Sequence, residues 1–359
     1  MTNSILNFNK TYKQQPLMLG EELGIVDSIH VNESVKDVMD RALSQIWTHE
    51  EFNFAPCKSE FLEENDGTKI MIDTILWQWS ADSAVCNLYT LLQPFISDDL
   101  LTQLVLFNTY IESIHSFTYS EIVKNAFPDP QEAINSIAER EDIVSRLSKV
   151  NEVFSNFRQV GLDYATGKRT LDVDLLRDVY KGVVALYLME RVQFLASFSI
   201  TFALGEMGRF QPVVQAVRKI CADETIIHAE TDVLILEDLR RHPLWEQANT
   251  EEFKDEVFQL CEEVIQRELE WTDVLFSDKS LPGVTVDSVK EWVLFNYQVV
   301  KKVLGYPLDN KYKQNPLPFI NNYLTMNKLQ SAPQEQEIGQ YLVGAIDNDL
   351  DNLDIDVDF

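Results

Sequence analysis

The sequence predicts an all-α protein, a bundle of about eight long helices in a single globular unit. Long segments rich in apolar residues follow one another along the chain, and the alternation of apolar and polar residues that is typical of strands is nearly absent. The 359 residues contain only 12 Gly and 12 Pro, and 45% of them are hydrophobic, which is ample for a sizeable core. We therefore expect helices packed on helices.

The first two helices are predicted from capping and exit signals. One spans 32–46, where Asn32 or Ser34 is available as N-cap. The next helix spans 69–93 and contains neither Gly nor Pro. We expect it to end before Pro94. Its length favours a buried helix over a strand.

The third predicted helix spans 98–126, with Asp98 or Asp99 near its N-cap, and runs without interruption towards Pro128. Later segments show the same character. The remaining predicted helices span 130–160, 172–204, 210–240 and 251–275.

The two ends of the chain differ from this helical part. The segment 307–323 contains three prolines, and the chain from 331 onward is polar until the acidic finish DNDLDNLDIDVDF. The predicted division is an N-terminal arm (1–30), a helical domain (31–325) and a flexible C-terminal tail (326–359).

Charge and cysteine content exclude several classes of function. Lys and Arg number 30 against 58 Asp and Glu, so the formal charge of −28 repels nucleic acids and anionic membrane surfaces. No stretch reaches the roughly 20 apolar residues that span a bilayer. The four cysteines show neither CxxC spacing nor a disulfide-dense pattern, so we expect neither a thiolate metal site nor a secreted disulfide scaffold. We expect a soluble cytoplasmic protein with no nucleic-acid or membrane partner.

Polar residues nevertheless lie inside the most apolar predicted helices. Glu112 and His115 are three residues apart and share one helical face, and Tyr119 lies on that face two turns along. Glu190 interrupts a segment that is hydrophobic almost all round. An ionised carboxylate in such a core is costly unless an ion or partner compensates it.

Two more helices carry polar residues of the same kind. Glu224 and His228 are four residues apart and again share a face, and Asp82 supplies an acid to the helix at 69–93. Carboxylate oxygens and imidazoles suit iron or manganese. A Glu-x-x-His helix beside other acid-bearing helices is typical of ferritin-like dimetal proteins. The predicted metal ligands of the four-helix core are Asp82, Glu112, His115, Glu190, Glu224 and His228.

Taken in chain order, the six predicted ligands and Tyr119 resemble the corresponding residues of the radical-generating small (beta) subunit of class I ribonucleotide reductase. That family has an Asp, then Glu-x-x-His-x-x-x-Tyr, then a Glu, then Asp-Glu followed by His, around a di-iron centre beside a stable tyrosyl radical. The likeness covers roughly 40–359. It implies that Tyr119 is the radical site.

The resemblance extends beyond the metal ligands. It implies radical transfer by Trp47, Asp223, Glu335 and Tyr341, and an apolar pocket around the radical made by Phe194, Phe198 and Ile220. The finish NLDIDVDF, with its terminal Phe359, resembles the acidic peptide that docks the family's small subunit on the large (alpha) subunit.

One spacing departs from the family pattern. The family usually has Glu-x-x-His in the fourth ligand helix, whereas this chain has Glu224-Thr-Ile-Ile-His228, one residue longer. We expect a π-bulge, a helix irregularity common at functional sites, to absorb the extra residue and direct His228 at the metal.

The resemblance implies a ribonucleoside-diphosphate reductase (EC 1.17.4.1) in which this chain, as a homodimer, generates the radical. Two iron ions per chain, with manganese or a mixed pair left open, would activate dioxygen and oxidise Tyr119. The oxidising equivalent would then pass through His115, Asp223, Trp47 and Tyr341 to the large subunit, which reduces ribonucleotides to deoxyribonucleotides.

Two other functions are compatible with parts of the pattern. A ferritin-like dimetal oxidase or hydroxylase acting on a lipid or small molecule accounts for the ligands, but not for Trp47, Tyr341 or the tail. A metal-free helical interaction protein with an acidic docking tail requires the interior acids to lie at the surface.

Overall fold

The computed structural model describes residues 16–20, 28–137 and 139–324. Helices make up most of these residues, and the β pairing within them consists of two isolated bridges, Met18–Ile96 and Leu281–Val284. The predicted all-α fold is confirmed. Glu335, Tyr341 and Phe359 lie outside the described residues, so the predicted tail and N-terminal arm stay predictions.

Eight long helices account for the bundle in the described part of the chain. They are α1 (Glu33–Ser44), α2 (Asp66–Leu88), α3 (Asp99–Ala126), α4 (Glu141–Ala165), α5 (Val173–Glu206), α6 (211–240), α7 (Glu251–Phe276) and α8 (Val286–Leu304). Short α-helices span Lys58–Phe61, Pro130–Ile137, Trp245–Ala248 and Asn321–Leu324. Short 3₁₀ helices span His49–Glu51, Ala55–Cys57, Tyr89–Phe95, Asn310–Tyr312 and Pro318–Ile320.

Capping side chains fix where the early helices begin. Asn32 accepts hydrogen bonds from the N–H groups of Ser34 and Val35 at the start of α1. Asp98 does the same for Leu101 at the start of α3, at 2.8 Å. These side chains satisfy backbone donors that have no partner inside the helix, so both helices start where the sequence predicts.

One predicted helix is divided in the structure. The segment 130–160 is not one helix, because Pro130–Ile137 ends before α4 begins at Glu141. Arg140, at the break, donates to Asp142 at the start of α4 and to Asp73 on α2. This contact across 67 residues holds the chain in a turn that local sequence does not specify.

The helix α8 was not among the predicted segments. It begins at a capping box in which Thr285 and Ser288 exchange side-chain and backbone hydrogen bonds, and it ends at Gly305, whose φ of 78° favours glycine. α2 is also shorter than predicted, because it passes into the 3₁₀ helix Tyr89–Phe95 that contains Pro94.

Four helices enclose the centre of the bundle. α2 packs along α3 and against α5, α5 and α6 pack on each other, and α6 closes the ring against α3. α4, α7 and α8 cover the far side of α5, while α1 lies across α3 and α6. One continuous hydrophobic core extends through the described residues.

The central helix α5 is the most apolar element. By length and composition it could cross a membrane, but 94% of its most apolar window is buried inside the bundle. Its hydrophobicity is therefore accounted for by its place in the core, with neighbouring helices on every side.

Candidate metal centre

Six polar side chains of the central helices meet in the interior. α2 contributes one acid, α3 an acid and a histidine, α5 one acid, and α6 an acid and a histidine. All six residues are fully buried: Asp82, Glu112, His115, Glu190, Glu224 and His228. The structure thus brings together every residue that the sequence predicts as a metal ligand.

The six residues form two overlapping groups whose possible ligand atoms lie within 4.8 Å of one another. The first group is Asp82, Glu112, His115 and Glu224, and the second is Glu112, Glu190, Glu224 and His228. Glu112 and Glu224 belong to both groups. Two shared carboxylates, each with two oxygens, are what a pair of bridged cations requires.

Distances around the shared acids support this division. His115 Nδ1 lies 2.9 Å from Glu224 Oε1, and His228 Nδ1 lies 2.8 Å from Glu224 Oε2. His228 Nδ1 is also 2.9 Å from Glu112 Oε1. The two histidines therefore face opposite oxygens of Glu224, one at each end of the carboxylate.

The donor set fits a pair of divalent cations. Both oxygens of Asp82, and one oxygen of Glu190, form no hydrogen bond within the described residues although they are buried. Such atoms are costly unless something binds them. Four carboxylates carry four negative charges, which two divalent ions would neutralise.

The pKa values of the buried acids reflect their burial and the charges of their neighbours. Burial raises the pKa of Asp82 well above its usual value, and Glu112 and Glu224 raise it further. Burial, then Glu224 and Glu112, raise the pKa of Glu190 in the same way. Burial alone would also raise the pKa of Glu224, but the two neighbouring imidazoles outweigh it and lower that pKa. Without cations, protons therefore compensate this cluster.

Both ligand helices on the α5–α6 side are locally π-helical. Asp223–His228 forms one π-helical segment, which places His228 Nδ1 against Glu224 despite the extra residue between them. The bulge predicted there is present. A second segment, Met189–Gln193, carries Glu190 and was not predicted. Such segments often occur at functional sites.

A hydrogen-bonded chain leads from this cluster towards α1. Trp47 Nε1 donates to Asp223 Oδ2 at 2.7 Å, and the same oxygen lies 3.1 Å from His115 Nε2. The rings of Trp47 and His115 also stack, with centroids 5.8 Å apart. Trp47 is only 2% exposed. The three residues that the sequence links as a transfer route are thus in direct contact.

Tyr119 is fully buried on α3, and its hydroxyl forms no hydrogen bond within the described residues. Burial raises its pKa well above the usual value, and the charge of Asp82 adds to the effect. The predicted pocket residues Phe194, Phe198 and Ile220 are fully buried in the same core, and the first two stack at 5.7 Å. Their contact with the phenol stays a prediction.

Sequence reasoning missed a buried ion pair behind α5. Arg146 forms a bidentate pair with Glu268, at 2.7 and 2.6 Å, and lies between the rings of Trp77 and Trp271. Arg146 also donates to the backbone carbonyl of Gln193, in the π-helical segment that carries Glu190. The available signal was that Glu268 lies on the same face of α7 as the buried Val264, Trp271 and Leu275.

A helical bundle that surrounds two overlapping carboxylate–histidine groups is typical of the dimetal-carboxylate class of proteins. A family model described as "Ribonucleotide reductase, small chain" matches residues 30–316. The chain belongs to the ribonucleotide reductase small-chain family, as its resemblance predicts.

Relatives and solved structures agree with this assignment. The beta subunit of ribonucleoside-diphosphate reductase from Haemophilus influenzae is 26% identical over 358 residues, covering 96% of this chain and 95% of that protein. The beta subunit from Enterobacteria phage T4 is 25% identical over 374 residues, covering 94% of each.

Two structures show the shared ferritin-like fold. The ribonucleotide reductase R2 subunit from Clostridium botulinum superposes with a TM-score of 0.79 at 17% identity, covering 91% of this chain and 99% of that chain. The dimanganese(II)-NrdF structure from Streptococcus sanguinis gives a TM-score of 0.66 at 13% identity, covering 84% and 99%.

Proposed function

We propose that this chain generates and stores the radical used by a ribonucleoside-diphosphate reductase, with Tyr119 as the radical site. The observation that carries the proposal is the pair of ligand groups that share Glu112 and Glu224. Glu112 lies on α3, which also carries Tyr119. The ferritin-like oxidase alternative uses the same ligands, but gives no role to the Trp47–Asp223–His115 chain.

A bound pair of iron or manganese ions would supply one-electron oxidation of a phenol, with dioxygen as oxidant. The protein's part is to hold and protect Tyr119. Because the phenol is fully buried and its pKa is raised, it starts as a neutral hydroxyl, and oxidation must release its proton.

Trp47, Asp223 and His115 would carry the oxidising equivalent out of the site. Asp223 accepts the indole proton of Trp47 in a hydrogen bond, so a carboxylate is in place when that indole loses an electron. His115 connects the same carboxylate to Glu224. We propose that Tyr341 and Glu335 continue the route to the large subunit.

The test of the radical site is the variant Tyr119→Phe. Metal-free protein is loaded with Fe(II) without oxygen, exposed to air, and examined by EPR and by reductase assay with the large subunit. The wild type should give a tyrosyl signal and activity, and Tyr119→Phe should lose both while binding the same amount of iron.

The matched control is Tyr187→Phe, which changes another buried tyrosine, on helix α5. It should keep both signal and activity. An unchanged tyrosyl signal in Tyr119→Phe would refute the proposed radical site. A protein that binds iron but forms no radical in any variant would favour the oxidase alternative.

For the metal we propose two iron ions per chain. Carboxylate and imidazole ligands also suit manganese, and the Streptococcus sanguinis protein with the same fold is a dimanganese(II) protein. Reconstitution with each metal, followed by reductase assay, distinguishes these cases. Activity with Mn(II) alone would contradict an iron cofactor.

We propose that the chain is a cytoplasmic homodimer and that the outer face of α3 forms the contact between its copies. Leu106, Tyr110 and Phe117 point outward along one stripe of this helix, each more than half exposed. Between Asp99 and Glu121 this face carries no charge, because the charged side chains of that segment are buried. On a chain of charge −28, an uncharged apolar stripe suits a second copy.

Light scattering tests this contact. Tyr110→Asp should shift the mass from dimer to monomer, because it would place a charge in an apolar interface. The control Asn125→Asp adds the same charge to an exposed position beyond the stripe and should leave the dimer intact. A fully dimeric Tyr110→Asp would rule out this face.

We also propose that the acidic tail, 326–359, docks on the large subunit. Its spaced apolar residues and terminal Phe359 are typical of short docking peptides. A peptide of the last residues should compete with the full chain for the large subunit. The same peptide with Ala in place of Phe359 should compete less well, and equal competition would contradict the proposal.

A further inference from the structure

A further acid, Asp232, is buried beside the metal centre without belonging to either ligand group. It lies on α6 one turn after His228, so the two side chains share a helical face. Neither of its carboxylate oxygens forms a hydrogen bond within the described residues. A fully buried carboxylate without a partner is rare enough to require an explanation.

The neighbouring imidazole has a complementary unpaired atom. His228 Nδ1 lies against Glu224 and Glu112, at 2.8 and 2.9 Å, whereas its Nε2 forms no hydrogen bond within the described residues. Burial raises the pKa of Asp232, and the charge of His228 opposes this rise. An unpaired ring nitrogen and an unpaired carboxylate therefore occur together, four residues apart on one helix.

The other histidine of the site shows what such a pair does. His115 directs Nδ1 towards Glu224, and its Nε2 lies 3.1 Å from the carboxylate of Asp223. An outer carboxylate of this kind fixes the tautomer and the orientation of a metal-binding imidazole. His228 has the same division between its two nitrogens, and Asp232 is the acid placed to complete it.

Tyr89 packs against His228 at this end of the site. Its fully buried ring packs edge-on against His228, with centroids 5.3 Å apart, and its hydroxyl donates to Glu190 at 3.4 Å. Burial raises the pKa of Tyr89, and the charge of Asp232 raises it further. The acid is thus confined with His228 and Tyr89 in one closed polar corner.

We propose that Asp232 is a positioning residue for the second metal. When a cation binds at the group containing Glu190 and His228, Asp232 accepts a hydrogen bond from His228 Nε2 and holds Nδ1 as the ligand atom. The inference rests on the proposed dimetal function. It assigns to this half of the site the outer carboxylate that Asp223 provides to the other half.

The test measures metal binding and thermal stability together. Metal-free wild type and Asp232→Asn are titrated with Mn(II), and EPR of the free ion counts the sites. The wild type should bind two ions. Asp232→Asn should keep one site unchanged and bind the second ion about 10–100-fold more weakly, as for other outer-shell changes. Asp232→Leu, which removes the acceptor altogether, should weaken it at least as much.

The melting temperature of the metal-free protein separates positioning from a structural role. Removing an unpartnered buried acid should leave that temperature unchanged or raise it, even as metal affinity falls. The control is Asp238→Leu on the same helix. Asp238 accepts a hydrogen bond from Met18 N and leucine has no acceptor, so this variant should melt earlier and keep both metal sites.

Three results would overturn the inference. Two ions bound by Asp232→Asn and Asp232→Leu with wild-type affinity would show that Asp232 does not position His228. A lower melting temperature with equal weakening of both sites would indicate a structural role. If the wild type binds fewer than two ions, the proposed dimetal function is wrong, and so is this inference, which rests on it.

Discussion

Replacing Glu268 by Gln removes the carboxylate that neutralises Arg146 inside the bundle. Both side chains are fully buried, and two hydrogen bonds of 2.7 and 2.6 Å join them. The guanidinium lies 3.4 and 3.6 Å from the ring centroids of Trp77 and Trp271. In Glu268→Gln, the positive charge would stay buried between these rings without a countercharge.

The expected loss of unfolding free energy depends on which interactions of Arg146 the variant retains. Removing one partner of a buried pair typically costs about 3–5 kcal/mol. The two cation–π contacts and the hydrogen bond to Gln193 O remain, and the new amide oxygen can accept one hydrogen bond. We therefore expect the free energy of unfolding to fall by about 3 kcal/mol, at the lower end of that range.

Urea unfolding of the metal-free protein measures this loss from the shift in midpoint at an unchanged slope. The matched control is Glu251→Gln, which breaks an exposed pair with Lys254 and should cost less than about 1 kcal/mol. The double variant Arg146→Met/Glu268→Leu should be more stable than Glu268→Gln, because it leaves no buried charge. A loss below about 1 kcal/mol in Glu268→Gln would refute this reasoning.

Three further predictions address packing, radical transfer and pH. Gly182→Ala should lower the free energy of unfolding by about 1–3 kcal/mol, because the new methyl group would lie 2.8 Å from the ring of Phe157; an unchanged thermal melt would contradict this. Asp223→Asn should reduce reductase turnover far more than the Tyr119 radical yield measured by EPR, and a parallel fall in both would place Asp223 in radical formation instead. Metal binding should release protons and weaken as the pH falls. Burial lowers the pKa of His228, but the glutamates beside it raise it to about 10, so at neutral pH the metal-free imidazole holds a proton that a bound metal displaces. Calorimetry in buffers of different ionisation enthalpy would count these protons, and finding none would refute the prediction.

The helix starts were predictable because their signals are local. Asn32 and Asp98 cap backbone groups within three residues of themselves, so the sequence contains the whole interaction. The break before α4 was not predictable in this way, because it depends on Arg140 reaching Asp73 on another helix. The spacing of residues along a helix specifies which of them share a face. It does not specify which distant side chain that face will contact.

The same distinction holds in the metal centre. The three-residue spacing of Glu112 and His115 predicts one face, and their place in an apolar helix predicts burial. That Glu112 and Glu224 belong to both ligand groups depends on how α3 and α6 pack. Asp232 escaped the sequence analysis although it continues the four-residue spacing from Glu224 and His228, because acids also occur at nearby exposed positions of that helix.

Anomalous diffraction from crystals of the iron-loaded protein tests the central claim most directly. The account predicts two iron peaks per chain, bridged by Glu112 and Glu224. One peak should lie beside Asp82 and His115, and the other beside Glu190 and His228. A single peak, or iron bound elsewhere with these six side chains unliganded, would contradict the dimetal centre.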